Sequence, residues 1–143
     1  MIDKDGAHHW PVRVYYEDTD LGGIVYYANY LKFIERGRSE WLRALHVDQA
    51  AMAARGEGYF AVRRVEADYR APARFDDLLD VRTTFDSASG ARLVLAQQVL
   101  CDGNLLFSAL VTLVFISPAA RPKPLPPALL DRIGGKWANK PEV

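Results

Sequence analysis

Apolar and polar positions change their spacing several times along this chain, and each change predicts a different element. Residues 10–16 alternate around Val12 and Val14 and predict a first strand. Residues 17–24 break that alternation with Asp18, Thr19, Asp20 and the adjacent Gly22 and Gly23, which is loop chemistry. From Tyr27 the spacing turns helical: Tyr27, Tyr30, Leu31, Ile34, Gly37, Trp41 and Leu45 share one face, with Lys32, Glu35, Arg36, Glu40 and Arg43 on the flanks. A shorter helix is expected between Asp48, a good N-cap, and Gly56, just past its end.

After Gly56 the patterning is almost all strand. Val65, Ala67 and Tyr69 alternate with Arg64, Glu66, Asp68 and Arg70, which predicts a sheet with one wet face. Residues 79–85 and 92–101 follow, joined through Ser87-Ala88-Ser89-Gly90. Asp102-Gly103 makes a tight hairpin into residues 105–116, a strand apolar on both faces and so expected inside the sheet. Beyond Pro118 more prolines follow, which cannot continue a sheet, then a short helical piece near residues 128–133 and a polar tail. One long helix against about five hairpin-linked strands predicts an α+β domain over residues 1–143, with its core at about 10–118. Its uncovered sheet edge favours a homo-oligomer, a dimer or a tetramer.

Composition narrows the partners. Eighteen basic residues balance eighteen acidic ones, which excludes nucleic-acid binding through bulk charge. The longest apolar run, residues 109–116, falls well short of the ~20 residues that span a bilayer. The first six residues hold no apolar stretch, so no secretory signal is expected. Cys101 is the single cysteine, which excludes an intrachain disulfide and suits a reduced, cytoplasmic setting. His8-His9 has no acidic or sulfur ligands at metal-motif spacing and reads as an N-terminal pair, His46 as a partner of the long helix's C-terminus. Tyr15, Tyr16, Tyr26, Tyr30, Phe33 and Phe60 read as core, interface or pocket lining, and Cys101 as packing.

The chemistry concentrates in residues 15–30. This stretch sets acids and two glycines between a strand and the first turn of the long helix, whose N–H groups are unpaired and whose dipole end is positive. A carboxylate beside such an oxyanion-binding terminus suits attack on a carbonyl. The same residues also read as helix caps and a plain glycine turn, and spacing alone leaves both readings open.

Residues 13–43, with YYEDTDLGGIVYYANYLKFIERGRSEWLR, resemble the acyl-CoA thioesterases of the hotdog fold. Within that family the likeness is to the Tol-Pal-associated (YbgC-like) branch, a sister of 4-hydroxybenzoyl-CoA thioesterase. It continues through residues 65–80, with EADYRAPARFDDLLD, and more loosely to Pro122-Lys123-Pro124. The resemblance implies a curved antiparallel sheet wrapped around one long helix, and hydrolysis of an acyl-CoA, or an acyl-carrier-protein thioester, without a metal or organic cofactor. It carries the catalytic carboxylate onto Asp20, as nucleophile or general base, and the carbonyl-polarising N–H onto Tyr27. Gly23 would permit close approach, and Asp18 is expected to be a turn residue. Many relatives in that branch carry His where this chain has Tyr27, whereas the hydroxybenzoyl branch carries Tyr. The phosphates of coenzyme A would fall to Arg92 and Lys123, a sparser set than in the hydroxybenzoyl enzyme, with a neighbouring subunit able to add cations. The alternatives are an aryl-CoA thioesterase and a non-catalytic module that binds acyl-CoA or acyl-carrier protein.

Overall fold

The computed structural model describes residues 2–138. Strand β1 (His8–Arg13) is followed by a 3-10 turn over Tyr16–Asp18, helix α1 (Asn29–Ala44) and helix α2 (Gln49–Ala54). Strands β2 (Tyr59–Tyr69), β3 (Leu78–Ser89), β4 (Arg92–Cys101) and β5 (Asn104–Ile116) come next, and α3 (Pro127–Ala138) closes the described chain. The strands form one antiparallel sheet in the order β1-β3-β4-β5-β2. The apolar β5 is therefore interior, as its two-faced pattern predicts, and β1 and β2 are the edges. Register shifts at Val62/Arg64, Phe85/Ser87 and Val99/Leu100 increase local bend and twist.

The inner face of the sheet carries Val81, Thr83 and Phe85 of β3, Leu93, Leu95, Gln97 and Val99 of β4, and Phe107, Val111 and Leu113 of β5, all buried. Helix α1 lies against the β1, β3 and β4 side of it. Its buried face is Tyr30, Phe33, Ile34, Gly37, Trp41 and Leu42. This corrects the expected stripe, because Leu31 and Tyr27 are exposed. Gly37 sets the approach of helix to sheet: a Cβ there would fall 2.4 Å from Cγ1 of Val81, which is itself fully buried. Beside this contact Gln97, also fully buried, donates from Nε2 to the Ile34 carbonyl at 2.8 Å and to the Thr83 hydroxyl at 2.9 Å. A buried amide without such acceptors would cost about 1–3 kcal/mol, so the pair registers helix and sheet against each other.

Several element ends differ from expectation, each for a local reason. The first strand runs over His8–Arg13 rather than 10–16, because the chain folds back at Tyr15, whose N–H is taken by the Asp18 carboxylate at 2.8 Å. Helix α1 starts at Asn29 rather than Tyr27, because the Tyr27 carbonyl is bound by the Tyr69 hydroxyl instead of a helical N–H. The 87–90 connection shrinks to Gly90-Ala91, since Ser87, Ala88 and Ser89 remain paired beyond the bulge. Asp48 does cap α2, accepting from the Ala51 N–H at 3.0 Å. The long helix ends in a Schellman pattern: the Val47 N–H reaches the Leu42 carbonyl at 2.9 Å and the His46 N–H the Arg43 carbonyl at 3.0 Å. His46 thus closes the helix through its backbone, at φ +61°, in a conformation glycine adopts without strain.

Two stability changes follow from these contacts. Gly37→Val should lower stability by about 2 kcal/mol through overpacking against Val81. His46→Gly should raise it by roughly 1 kcal/mol by relieving the left-handed strain. Urea denaturation, read as a shift of midpoint at constant slope, measures both.

Candidate active site

The loop between β1 and α1 is built around Asp18. Its carboxylate accepts the Tyr15 N–H, and its carbonyl accepts both the Tyr26 N–H and the Asn29 side-chain amide at 2.9 Å. The residue is 7% exposed, so these bonds are the compensation for burying its polar atoms. Asp18 therefore ties the incoming end of the loop to the start of α1, the turn role expected for it.

Between those ties residues 19–25 form a small hairpin. Thr19 bridges Val25, the Asp20 N–H donates to the Ile24 carbonyl at 2.8 Å, and the Gly23 N–H returns to the Asp20 carbonyl at 3.0 Å. Gly23 turns the chain at φ +78°, a left-handed backbone that a side chain would strain. The hairpin is pinned to the segment before β3: Ile24 bridges Arg74, and the Val25 N–H donates to the Ala73 carbonyl at 2.8 Å. The Ala73 N–H in turn donates to the buried Tyr30 hydroxyl of α1 at 3.0 Å. Hairpin, helix and sheet end thus form one hydrogen-bonded unit.

Asp20 sits exposed on this hairpin. Its Oδ1 accepts the Gly22 N–H at 2.8 Å, and Oδ2 has no hydrogen-bond partner among the described residues. Nearby, α1 begins without a cap: Ala28 holds the N-cap position, no side chain accepts there, and the first turn carries no acid. The Tyr27 N–H has no acceptor among the described residues, whereas the Asn29 N–H is already engaged by the Tyr26 carbonyl at 2.8 Å. A free carboxylate oxygen and a free backbone N–H just before α1, on one pinned loop, can attack a carbonyl and polarise its oxygen. The surroundings are apolar: Leu21 projects fully from the chain, Tyr16 stacks on Phe75 at 4.2 Å, and Tyr27 meets Tyr69 edge-on at 6.1 Å.

The two cations named from the sequence lie elsewhere. Tyr69 pairs with Phe107 at the Tyr27 end of the sheet. Arg92 pairs with Val114 near the other end of β5, and the Lys123 N–H donates to the Phe115 carbonyl. Phe107 to Phe115 is roughly 26 Å of strand. Arg92 is exposed, while the Lys123 ammonium donates to the Glu57 carbonyl and lies 5.8 Å from the Phe115 ring centre. The fold brings Arg92 and Lys123 towards each other, but not towards Asp20 of the same chain.

The histidines and the cysteine take other roles. His9 is held between the Asp80 and Asp3 carboxylates, both at 2.8 Å; the bond to Asp3 is the main reason its ring holds a proton more strongly than usual. The same bond holds Asp3 down to about 2. His8 is buried, which pushes its ring towards the neutral form. Burial pushes the Cys101 thiol up, away from the thiolate that a nucleophile needs. Residues that spacing did not single out for the site are Asn29 and Tyr69; Tyr69 lies 42 positions from its partner Tyr27, so no local signal marks it.

A helix-backed antiparallel sheet is also the architecture of the proteins this chain resembles. Residues 14–133 match the family model of the thioesterase-like superfamily, and the chain belongs to that family. It is a thioester hydrolase. The acyl-CoA thioester hydrolase YbgC of Escherichia coli O6:H1 is 44% identical over 123 residues, covering 85% of this chain and 91% of that protein. The crystal structure of a probable thioesterase from Bartonella henselae is 38% identical with a TM-score of 0.81, covering 85% of this chain and 100% of its own. That of a 1,4-dihydroxy-2-naphthoyl-CoA thioesterase from Synechocystis is 26% identical with a TM-score of 0.83, covering 90% and 96%. These likenesses bear out the family and the α+β hotdog fold expected from residues 13–43 and 65–80. No helix among the described residues is long and apolar enough to cross a membrane.

Proposed function

We propose that this chain hydrolyses acyl-CoA thioesters, with Asp20 as the reacting carboxylate and the Tyr27 N–H polarising the thioester carbonyl. The observation that carries the reading is a hairpin carboxylate whose Oδ2 is free, followed a few residues later by a Tyr27 N–H that also has no acceptor among the described residues and precedes an uncapped helix start. The carbonyl oxygen accepts from the Tyr27 N–H, which stabilises the charge that grows there during attack. Asp20 then acts by one of two routes. Its oxygen adds to the carbonyl carbon and expels the coenzyme A thiolate, leaving a mixed anhydride that water hydrolyses. Alternatively it takes a proton from a water that adds directly. Both consume one water and yield a free acid and coenzyme A. Gly23 keeps the hairpin tight without a side chain over the approach.

The exposed ring cluster of Tyr26, Tyr27 and Tyr69 favours an aromatic acyl group as a second reading. The Synechocystis relative, named for an aryl-CoA substrate, supports it. A coenzyme A thioester also agrees with a cytoplasmic location, and a carrier-protein thioester presents the same reacting group.

The acting form in this reading is a homo-oligomer joined along β2. This 11-residue edge exposes Val62 and Tyr69. Antiparallel pairing of two copies about Val65 would set Arg64 opposite Glu66 in both directions, an attractive cross-strand pair. It would also reverse one copy against the other, bringing the Arg92 and Lys123 end of the second towards the Asp20 end of the first. Phosphate-binding cations would then be supplied across the interface, and exposed Leu21 would gain a cover.

Two measurements test this reading. Asp20→Asn keeps the Oδ1 acceptor for Gly22, so the thermal midpoint should hold while thiol release falls about 100-fold or more; near-native turnover would remove Asp20 from the mechanism. Run with benzoyl-type and aliphatic acyl-CoA substrates, the same assay separates the aryl reading, and binding without turnover on either would support a non-catalytic module. In light scattering, Glu66→Arg should weaken the dimer roughly tenfold by facing like charges. Adding Arg64→Glu should restore it, and a monomeric native chain would sink the edge-pairing scheme.

A further inference from the structure

Tyr27 is held from both sides, and only one of the two holds belongs to the helix. The peptide before it is fixed by the Tyr26 carbonyl, which accepts from the Asn29 N–H at 2.8 Å. In a trans peptide the N–H points opposite its carbonyl, so this bond turns the Tyr27 N–H away from the helix. The peptide after it is fixed by the Tyr27 carbonyl, which accepts from the Tyr69 hydroxyl at 3.0 Å. A continuing helix would offer the Tyr27 carbonyl to the Leu31 N–H; here that N–H donates to Ala28 at 3.2 Å instead. Tyr69 therefore takes the place of a helical donor and keeps Tyr27 out of the ladder.

We propose that Tyr69 is a positioning residue for thioester hydrolysis: its hydroxyl locks the Tyr27–Ala28 peptide so that the Tyr27 N–H stays aimed at the substrate carbonyl. This rests on the proposed role of the Tyr27 N–H. The donor itself is rigidly mounted. Its ring stands edge-on to Tyr30 at 5.6 Å and to Phe107 at 5.0 Å, and β2 pairs Tyr69 with Phe107. Partial burial and the neighbouring Tyr27 also push the Tyr69 hydroxyl above the usual tyrosine range, which favours the donor form. A carbonyl-polarising group misaimed in the transition state loses rate rather than substrate affinity, which separates this role from simple packing.

Tyr69→Phe keeps every ring contact and removes one O–H. The expected result is a five- to tenfold loss of kcat, about the worth of one hydrogen bond, with KM within about twofold and an unchanged thermal midpoint. The Tyr27 carbonyl carbon resonance should move upfield as its hydrogen bond is lost. Tyr69→Leu, which also removes the ring, should add a fall in stability. A Tyr69→Phe enzyme with native kcat, or one altered in KM alone, overturns the proposal while leaving the Asp20 site standing if Asp20→Asn is inactive. Should Asp20→Asn be active, the site reading falls and this inference falls with it. A Tyr27 resonance that does not move would likewise overturn it.

Discussion

The hydrogen bonds of Asp18 hold the β1–α1 loop, with the Asp20 hairpin and the start of α1, in one piece. The carboxylate stops β1 by taking the Tyr15 N–H, and the carbonyl receives the Tyr26 N–H and the Asn29 amide. Between these two points the chain has no choice but to form a short hairpin, with Asp20 at its mouth. Burying Asp18 is favourable only while its carboxylate and carbonyl keep such donors, so the contacts favour this geometry. The Asp20 hairpin and the start of α1 are therefore tied to each other through a neighbour, Asp18, whose own polar groups are engaged in backbone and amide contacts.

The rest of the fold supplies a rigid support for that arrangement. Gly37 lets α1 descend onto Val81, and Gln97 fixes its register through the Ile34 carbonyl and Thr83. Because α1 cannot slide, its N-terminus stays beside the hairpin, and Tyr30 and Ala73 join the two. Close packing of this kind leaves the first turn free of capping duty. An uncapped terminus is a cost to the helix alone, of the order of 1 kcal/mol, and the Tyr27 N–H just before it has no acceptor among the described residues.

The site ends where the single chain runs out of surface. Helix α1 covers the β1, β3 and β4 side, while β2 remains a bare edge with Tyr69 at the end nearest the site. Arg92 and Lys123 stand at the far end of the same sheet. One chain thus presents the Asp20 hairpin and a cationic end separated by a strand length, an arrangement that antiparallel association of two copies would reconcile.

Much of the architecture was legible in the spacing of apolar positions, because burial acts on every side chain of an element at once. The alternation around Val12, the two-faced apolar run of β5, the helical stripe of α1 and the Asp48 cap depend on neighbours within a few residues. The hairpin at 19–25 was legible as a loop, and Asp20 and Tyr27 were named through resemblance. Element ends were less legible: Tyr27 looked helical and Tyr15 looked like strand, since the bonds that exclude them come from Tyr69 and Asp18. So the sequence by itself determined the α+β class, the order of the elements and the concentration of chemistry in residues 15–30. Only the tertiary structure decided which N–H stays free, which hydroxyl binds the Tyr27 carbonyl and where the cations stand. Those depend on single contacts between residues distant in the chain, which no periodicity records.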